Sequence, residues 1–238
     1  VHMPGIMEGM RICKEQGKIR AFGISTHQNM PDIINEVIAG KFYDVVLTSI
    51  NVSMADDTDL LKAISDAAAN KIGVVAMKTQ AGGQRLPNPE TLQDYDNATR
   101  AVASLKWVMR NENITTAIPG YDNFEHMRQD LSVARELAYT KDEEAFLSDN
   151  RLTLGLGFCR QCRKCVAGCP AGADIPSLMR VHMYAAQYAN FDHARTTLNE
   201  IPTGKSLKAC AGCESCKASC ANTVDIKRRI SELKTIYA

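Results

Sequence analysis

Cys159-Arg160-Gln161-Cys162-Arg163-Lys164-Cys165-Val166-Ala167-Gly168-Cys169-Pro170 and Cys210-Ala211-Gly212-Cys213-Glu214-Ser215-Cys216-Lys217-Ala218-Ser219-Cys220 share one spacing, C-x2-C-x2-C-x3-C. Together they hold eight of the nine cysteines. Thiolates two residues apart let one tight backbone loop present three sulfurs to three corners of a 4Fe-4S cubane. Structural zinc fits less well, because it takes four ligands from two C-x2-C pairs and leaves the middle cysteines of both runs surplus. A disulfide framework suits a secreted chain, yet cysteines this dense within a loop fit a metal better than mutual pairing.

The first run, closed by Pro170, resembles the ligand run of bacterial two-cluster ferredoxins. In that arrangement the fourth cysteine of each run serves the other cluster. The resemblance therefore implies two 4Fe-4S clusters, one on Cys159, Cys162, Cys165 and Cys220, the other on Cys210, Cys213, Cys216 and Cys169. The second run ends in Ala221 rather than Pro, which bends the chain less firmly there. Between the runs, residues 174–190 carry Ile175, Leu178, Met179, Met183 and Tyr184 on a helical stripe, and 191–199 read as a second helix. A helix pair between the motifs is similar to the α-helical ferredoxins. His182 and His193 read as packing or surface residues, and Arg228, Arg229 and Lys234 in the last helix as a solvated face.

Charge follows the cysteines. Residues 151–238 hold 13 Lys plus Arg against 6 Asp plus Glu, whereas residues 1–150 hold 15 against 21. A four-thiolate cluster is anionic, so nearby cations such as Arg160, Arg163, Lys164, Lys208 and Lys217 favour its reduced state; a solvated basic face is the competing account. The whole chain is nearly neutral at +1, which gives no reason to expect a nucleic-acid partner. With 45% hydrophobic residues over 238, it can bury a sizeable core, but it has no run of about eighteen apolar residues to span a membrane. It opens at Val1, so a natural start, and with it any targeting segment, is expected upstream; a cytoplasmic location is the working expectation.

Working back to Val1, helical and strand patterns alternate. Residues 5–17 place Ile6, Met10, Ile12 and Cys13 on an apolar stripe ending at Gly17, with Cys13 in the core. Strands are expected at 19–25, 43–51, 73–78 and 114–118, and helices at 31–39, 57–70, 93–110 and 123–139. A further helix starts at Thr140, with Glu143 completing a capping box. Strands alternating with helices mean parallel βαβ units, and strands buried on both faces read as continuously apolar.

Gly17-Lys18-Ile19-Arg20-Ala21-Phe22-Gly23-Ile24-Ser25, then Gly73-Val74-Val75-Ala76-Met77-Lys78, then Ser104-Leu105-Lys106-Trp107-Val108 with Ala117-Ile118-Pro119-Gly120, resemble the fifth, seventh and eighth strands and seventh helix of aldo/keto reductases. With the cysteine runs, the chain resembles those family members that carry a C-terminal 4Fe-4S dicluster domain. The resemblance implies the C-terminal part of a (β/α)8 TIM barrel over residues 1–150, followed by a mostly helical ferredoxin-like domain over 151–238. The first four strands are absent by this comparison, and Val1-His2-Met3-Pro4 sits where the family ends its fourth strand.

The family's Asp, Tyr, Lys and His tetrad reduces carbonyls with NADPH, and its first three members would lie upstream of Val1. His2 matches the fourth, which orients or polarises the carbonyl oxygen. Ser25 matches the serine that holds the nicotinamide amide, but the following Asn is Thr26 and the stacking Tyr is Met77. Where the family clamps the adenine and 2′-phosphate, this chain has Gly120, Tyr121, His126, Gln129 and Asp130, so NADP(H) binding stays open. At the C-terminal ends of the strands, where such barrels keep their sites, remain Ser25, His27, Asn51, Lys78 and Gln80. Lys78, beside Ala81-Gly82-Gly83, is the candidate for an anionic substrate or cofactor group; the plainer reading is a solvated strand-end Lys. The expected function is an iron–sulfur oxidoreductase coupling carbonyl/alcohol chemistry in the barrel to electron transfer through the clusters. The alternative is an electron carrier whose barrel is only a docking scaffold. Expected partners are a redox protein or a small carbonyl substrate, together with a missing half-barrel or a second copy of the chain.

Overall fold

The computed structural model describes residues 2–80, 94–149 and 159–237. The chain divides into two compact units, residues 1–153 and 154–238.

The first unit is a four-stranded parallel sheet in sequential order: β1 (Gly23–Thr26), β2 (Val45–Ser49), β3 (Gly73–Met77) and β4 (Thr116–Ile118). Helix α1 (Pro4–Glu15) precedes it, and α2 (Met30–Gly40), α3 (Thr58–Ala69) and α4 (Asn97–Met109) lie between successive strands. Because parallel crossovers are right-handed, a strand order that never reverses puts all three connecting helices on one face. Burial follows that logic. Val46, Thr48, Val74 and Ala76 are fully enclosed, while their alternates Val45, Leu47, Gly73, Val75 and Met77 are only half-buried. The continuous apolar reading anticipated cover on both faces, but among the described residues only one face is covered.

The first strand begins at Gly23 rather than at residue 19. Gly23 pairs with Val45, and a Cβ there would lie 2.5 Å from the Val45 carbonyl oxygen, so only glycine admits this register. Helix α1 departs from its expected role as well. None of its residues is buried, Ile6 and Ile12 are exposed, and Cys13 is half-buried rather than in the core. Helix α5 (Phe124–Ser132) stops short of Tyr139; in the segment beyond it, Ala138 O accepts from Lys106 Nζ of α4 at 2.7 Å and Leu137 O from Arg110, just after α4, at 3.4 Å. Helix α6 (Lys141–Leu147) has the anticipated capping box, Thr140 accepting from the Glu143 amide and Glu143 from the Thr140 amide.

The second unit is helical among its described residues. Helix α7 (Ile175–His182) is capped by Asp174, runs into a π turn over Met183–Gln187, and is followed by α8 (Phe191–Glu200), capped by Asn190. The final helix is α9 (Ile226–Tyr237). Ile175, Leu178, Met179 and Val181 of α7 meet Ile226, Ile230 and Leu233 of α9 in one core, and Cys159, Cys165, Cys169, Cys216 and Cys220 pack against it.

Candidate metal centre

The first cysteine loop curls through two left-handed residues, Gln161 (φ 56°) and Arg163 (φ 63°), set between Cys159, Cys162 and Cys165. Alternating hand of this kind turns successive backbone N–H groups inward and makes a concavity suited to anions. The Cys159 sulfur accepts from the Gln161 amide at 3.4 Å, and Gln161 Nε2 donates to Pro176 O at 2.9 Å, which ties the loop to the start of α7. After the second run, the Asn222 amide donates to Cys220 Sγ at 3.3 Å. The Asn222 side chain reaches Cys162 Sγ at 3.7 Å, so the end of the second run stands against the first.

Electrostatics sort the eight thiols. Burial pushes Cys159 up to about 12; the Gln161 amide opposes this and the thiols of Cys165, Cys162 and Cys220 add to it. Burial likewise pushes Cys165 to about 11, followed by Cys220 and Cys162. Cys210 is raised by burial and then by Cys169, with Lys234 opposing and Cys213 and Cys216 contributing. Cys159 and Cys165 are thus each influenced by Cys162 and Cys220, and Cys210 by Cys169, Cys213 and Cys216. All nine cysteines are free thiols. Among the described residues no three His, Cys, Asp or Glu side chains converge on a single-ion site. A cubane spreads its thiolates over four separate irons, so it does not require such convergence.

Residues 158–225 match the family model of the 4Fe-4S dicluster domain. No curated protein matches the chain. Among solved structures it is similar to an aldo-keto reductase from Bacillus halodurans in its holo form, at 16% identity and a TM-score of 0.46. That likeness covers 61% of this chain and 54% of the other, so the chain spans about half that enzyme's length.

The residues of the dicluster domain fit the group the match implies. The two runs offer eight thiols, three of them held at raised pKa by burial, with Cys220 of the second run acting on Cys159 and Cys165 and Cys169 of the first acting on Cys210. Beside them Arg229 is 4% exposed with a buried Nε that has no partner. Cys159 and Cys220 are among the groups that favour its charge, and a buried guanidinium of this kind is one that an anionic cluster would satisfy. Arg229 is thus not on a solvated face, contrary to the sequence reading. Its position was legible, because Arg229 lies three residues after Ile226 and four before Leu233 on the stripe that α9 buries. Asn222 carried no comparable signal, since its partner is sixty residues away. His182 is a packing residue on α7, its Nε2 against Glu232 of α9 at 2.5 Å.

The sheet unit gathers four of its five candidates. Ser25, Asn51, Lys78 and Gly120 all stand at the C-terminal ends of the strands, and Ser25, Lys78 and Gly120 are exposed. Lys78 has a left-handed backbone (φ 57°), which turns the chain out of β3. Asn51 is enclosed and engaged with its own chain: Nδ2 donates to Lys78 O at 3.2 Å, and Oδ1 accepts from the Ser53 amide and hydroxyl. His27 is half-buried beside Thr26. Gln80 donates to Asp130 at 2.7 Å, and His126 pairs with Asp122 at 2.6 Å, while Tyr121 is exposed and Gln129 bonds Glu125. His2 is not brought to this end. Its ring lies against Gly40, the last residue of α2, and a helix that returns from one parallel strand to the next ends at the opposite edge of the sheet. The Ala81-Gly82-Gly83 loop lies outside the described residues.

Proposed function

We propose that this chain is an iron–sulfur redox protein that passes single electrons through two 4Fe-4S clusters. One is held by Cys159, Cys162, Cys165 and Cys220, the other by Cys210, Cys213, Cys216 and Cys169, and the sheet unit serves as a binding scaffold. The observation that carries the reading is the mutual grouping of the thiols, in which Cys220 neighbours Cys159 and Cys165, and Cys169 neighbours Cys210. Each cluster, when bound, would supply storage for one electron. The chain's own residues shape that storage. The Gln161 and Asn222 amides direct N–H groups at Cys159 and Cys220, and the core of α7 and α9 limits water around the sulfurs.

Anaerobically purified protein should contain about eight iron and eight sulfide per chain. Cys220→Ser should alter the paramagnetic signal of the cluster on Cys159, Cys162 and Cys165, and Cys169→Ser the other. A Cys220→Ser change confined to the signal of Cys210, Cys213 and Cys216, or zinc in place of iron, overturns the assignment.

A second reading, carbonyl or alcohol chemistry in the sheet unit, is favoured by Lys78, which stands exposed at a strand end in a left-handed conformation. It predicts NADPH or anionic-substrate binding that Lys78→Ala weakens by about tenfold, roughly the loss of one charge-assisted hydrogen bond. Titration of NADPH fluorescence decides it, and identical binding by both proteins, or none by either, removes this role.

A further inference from the structure

Helix α9 carries an anomaly on its enclosed face. Ile226, Ile230 and Leu233 are apolar, but Arg229 between them is equally enclosed, at 4% exposure. An unpaired buried cation is strongly disfavoured unless an anion offsets it. Among the described residues Arg229 forms no ion pair, and its Nε has no hydrogen-bond partner. Burial pulls its pKa down, as does Arg228, whereas Cys159, Glu232 and Cys220 hold it up. Two of its three favourable neighbours are therefore cysteines, one from each run. Five residues on, and roughly 7.5 Å further along the helix, half-buried Lys234 donates to the carbonyl of Cys210 at 2.8 Å. Lys234 is also the cation that opposes the raised pKa of that thiol. One helix thus offers one fixed positive charge to each thiol group.

We infer that α9 sets the reduction potentials of the two clusters separately, Arg229 raising that of the cluster on Cys159, Cys162, Cys165 and Cys220, and Lys234 raising that of the cluster on Cys210, Cys213, Cys216 and Cys169. The inference rests on the two-cluster reading. Adding an electron makes a four-thiolate cluster more negative, so a nearby cation stabilises the reduced form and raises the potential. Coulomb energy grows as the effective dielectric falls, so enclosed Arg229 acts more strongly than half-buried Lys234. In this assignment both are positioning residues, and the unequal burial makes the Cys159 group the resting place of the first electron.

The test is an anaerobic redox titration of the full chain followed by electron paramagnetic resonance. Iron content tests the precondition, since about four iron per chain counts against the two-cluster reading rather than against α9; with about eight iron bound, two reduction waves are expected, and a single unresolved wave counts against the unequal potentials assigned here. Given two waves, Arg229→Gln should lower one of them by about tenfold in the reduction equilibrium, about 59 mV for a one-electron couple. Lys234→Gln should lower the other by about threefold, and Arg229→Lys should leave both near the parent values. If both substitutions move the same wave, or neither moves any, the inference is wrong. Should Arg229→Gln fail to retain iron, Arg229→Lys decides: iron restored to the parent level upholds the need for a cation there, and equal loss in both variants refutes it.

Discussion

Lys106 and Glu143 are each 6% exposed and meet at 2.8 Å, a buried ion pair that joins α4 to α6. Lys106 also holds the Ala138 carbonyl, and Glu143 closes the capping box on Thr140. Removing one partner leaves the other charge enclosed, so Lys106→Met should destabilise the first unit by about 3–5 kcal/mol in urea unfolding. The double change Lys106→Met with Glu143→Leu should recover much of that loss, since an apolar pair of similar volume has no charge to desolvate. Half of this arrangement was legible. Thr140 followed three residues later by Glu143 announces a capping box, but nothing in sequence ties Lys106 to a partner thirty-seven residues away. Arg229 shows the opposite case. Its charge suggested a solvated face, and only its phase within the apolar stripe of α9 pointed inward.

At the level of elements, the alternation of helices and strands was readable because each strand is a short apolar run between capped helices. Boundaries moved at the start of β1, where Gly23 pairs with Val45, and at the end of α5, which stops at Ser132. The cysteine spacing pointed to the iron–sulfur domain that residues 158–225 match, while the sheet-end group lost His2, because sequence order does not say at which end of the sheet a residue lands. The junction of α7 with α9 gives a pH prediction. His182 is 3% exposed, and burial holds its pKa below the usual histidine value; its hydrogen bond to Glu232 works the other way, and Arg229 and Arg228 add to the lowering. The folded state therefore binds fewer protons at this site than the unfolded chain as pH falls through about 6.5, so stability decreases with acidification below that value and is insensitive to His182 above it. Thermal melts between about pH 5.5 and 8 should show that slope in the parent chain and a shallower one in His182→Gln. A parallel slope in the variant would remove His182 as the cause.

For the molecule as a whole, the question is what covers the open side of the sheet. Val45, Leu47, Val75 and Met77 are half-buried on the face without connecting helices, and among the described residues β1 and β4 each pair on one side only. Parallel strands are normally covered on both faces, and these four residues are as apolar as their enclosed neighbours, so the sequence is written for cover that the described residues do not supply. Phe124 is 74% exposed, Leu131 60% and Ile118 51%, extending the apolar surface from the β4 edge onto α5. Apolar surface beside an unpaired strand edge favours association with another chain. The 26.1 kDa chain by itself is therefore expected to form dimers or larger species at micromolar concentration, measured by light scattering on a sizing column under anaerobic conditions. A charge on an edge strand opposes edge pairing, so Ile118→Lys should shift the distribution toward monomer without altering iron content, since the eight cysteines of the two runs belong to the other unit. A monodisperse 26.1 kDa parent that melts cooperatively would show that the open face and edges are tolerated in water, and would remove the physical reason for expecting a covering partner.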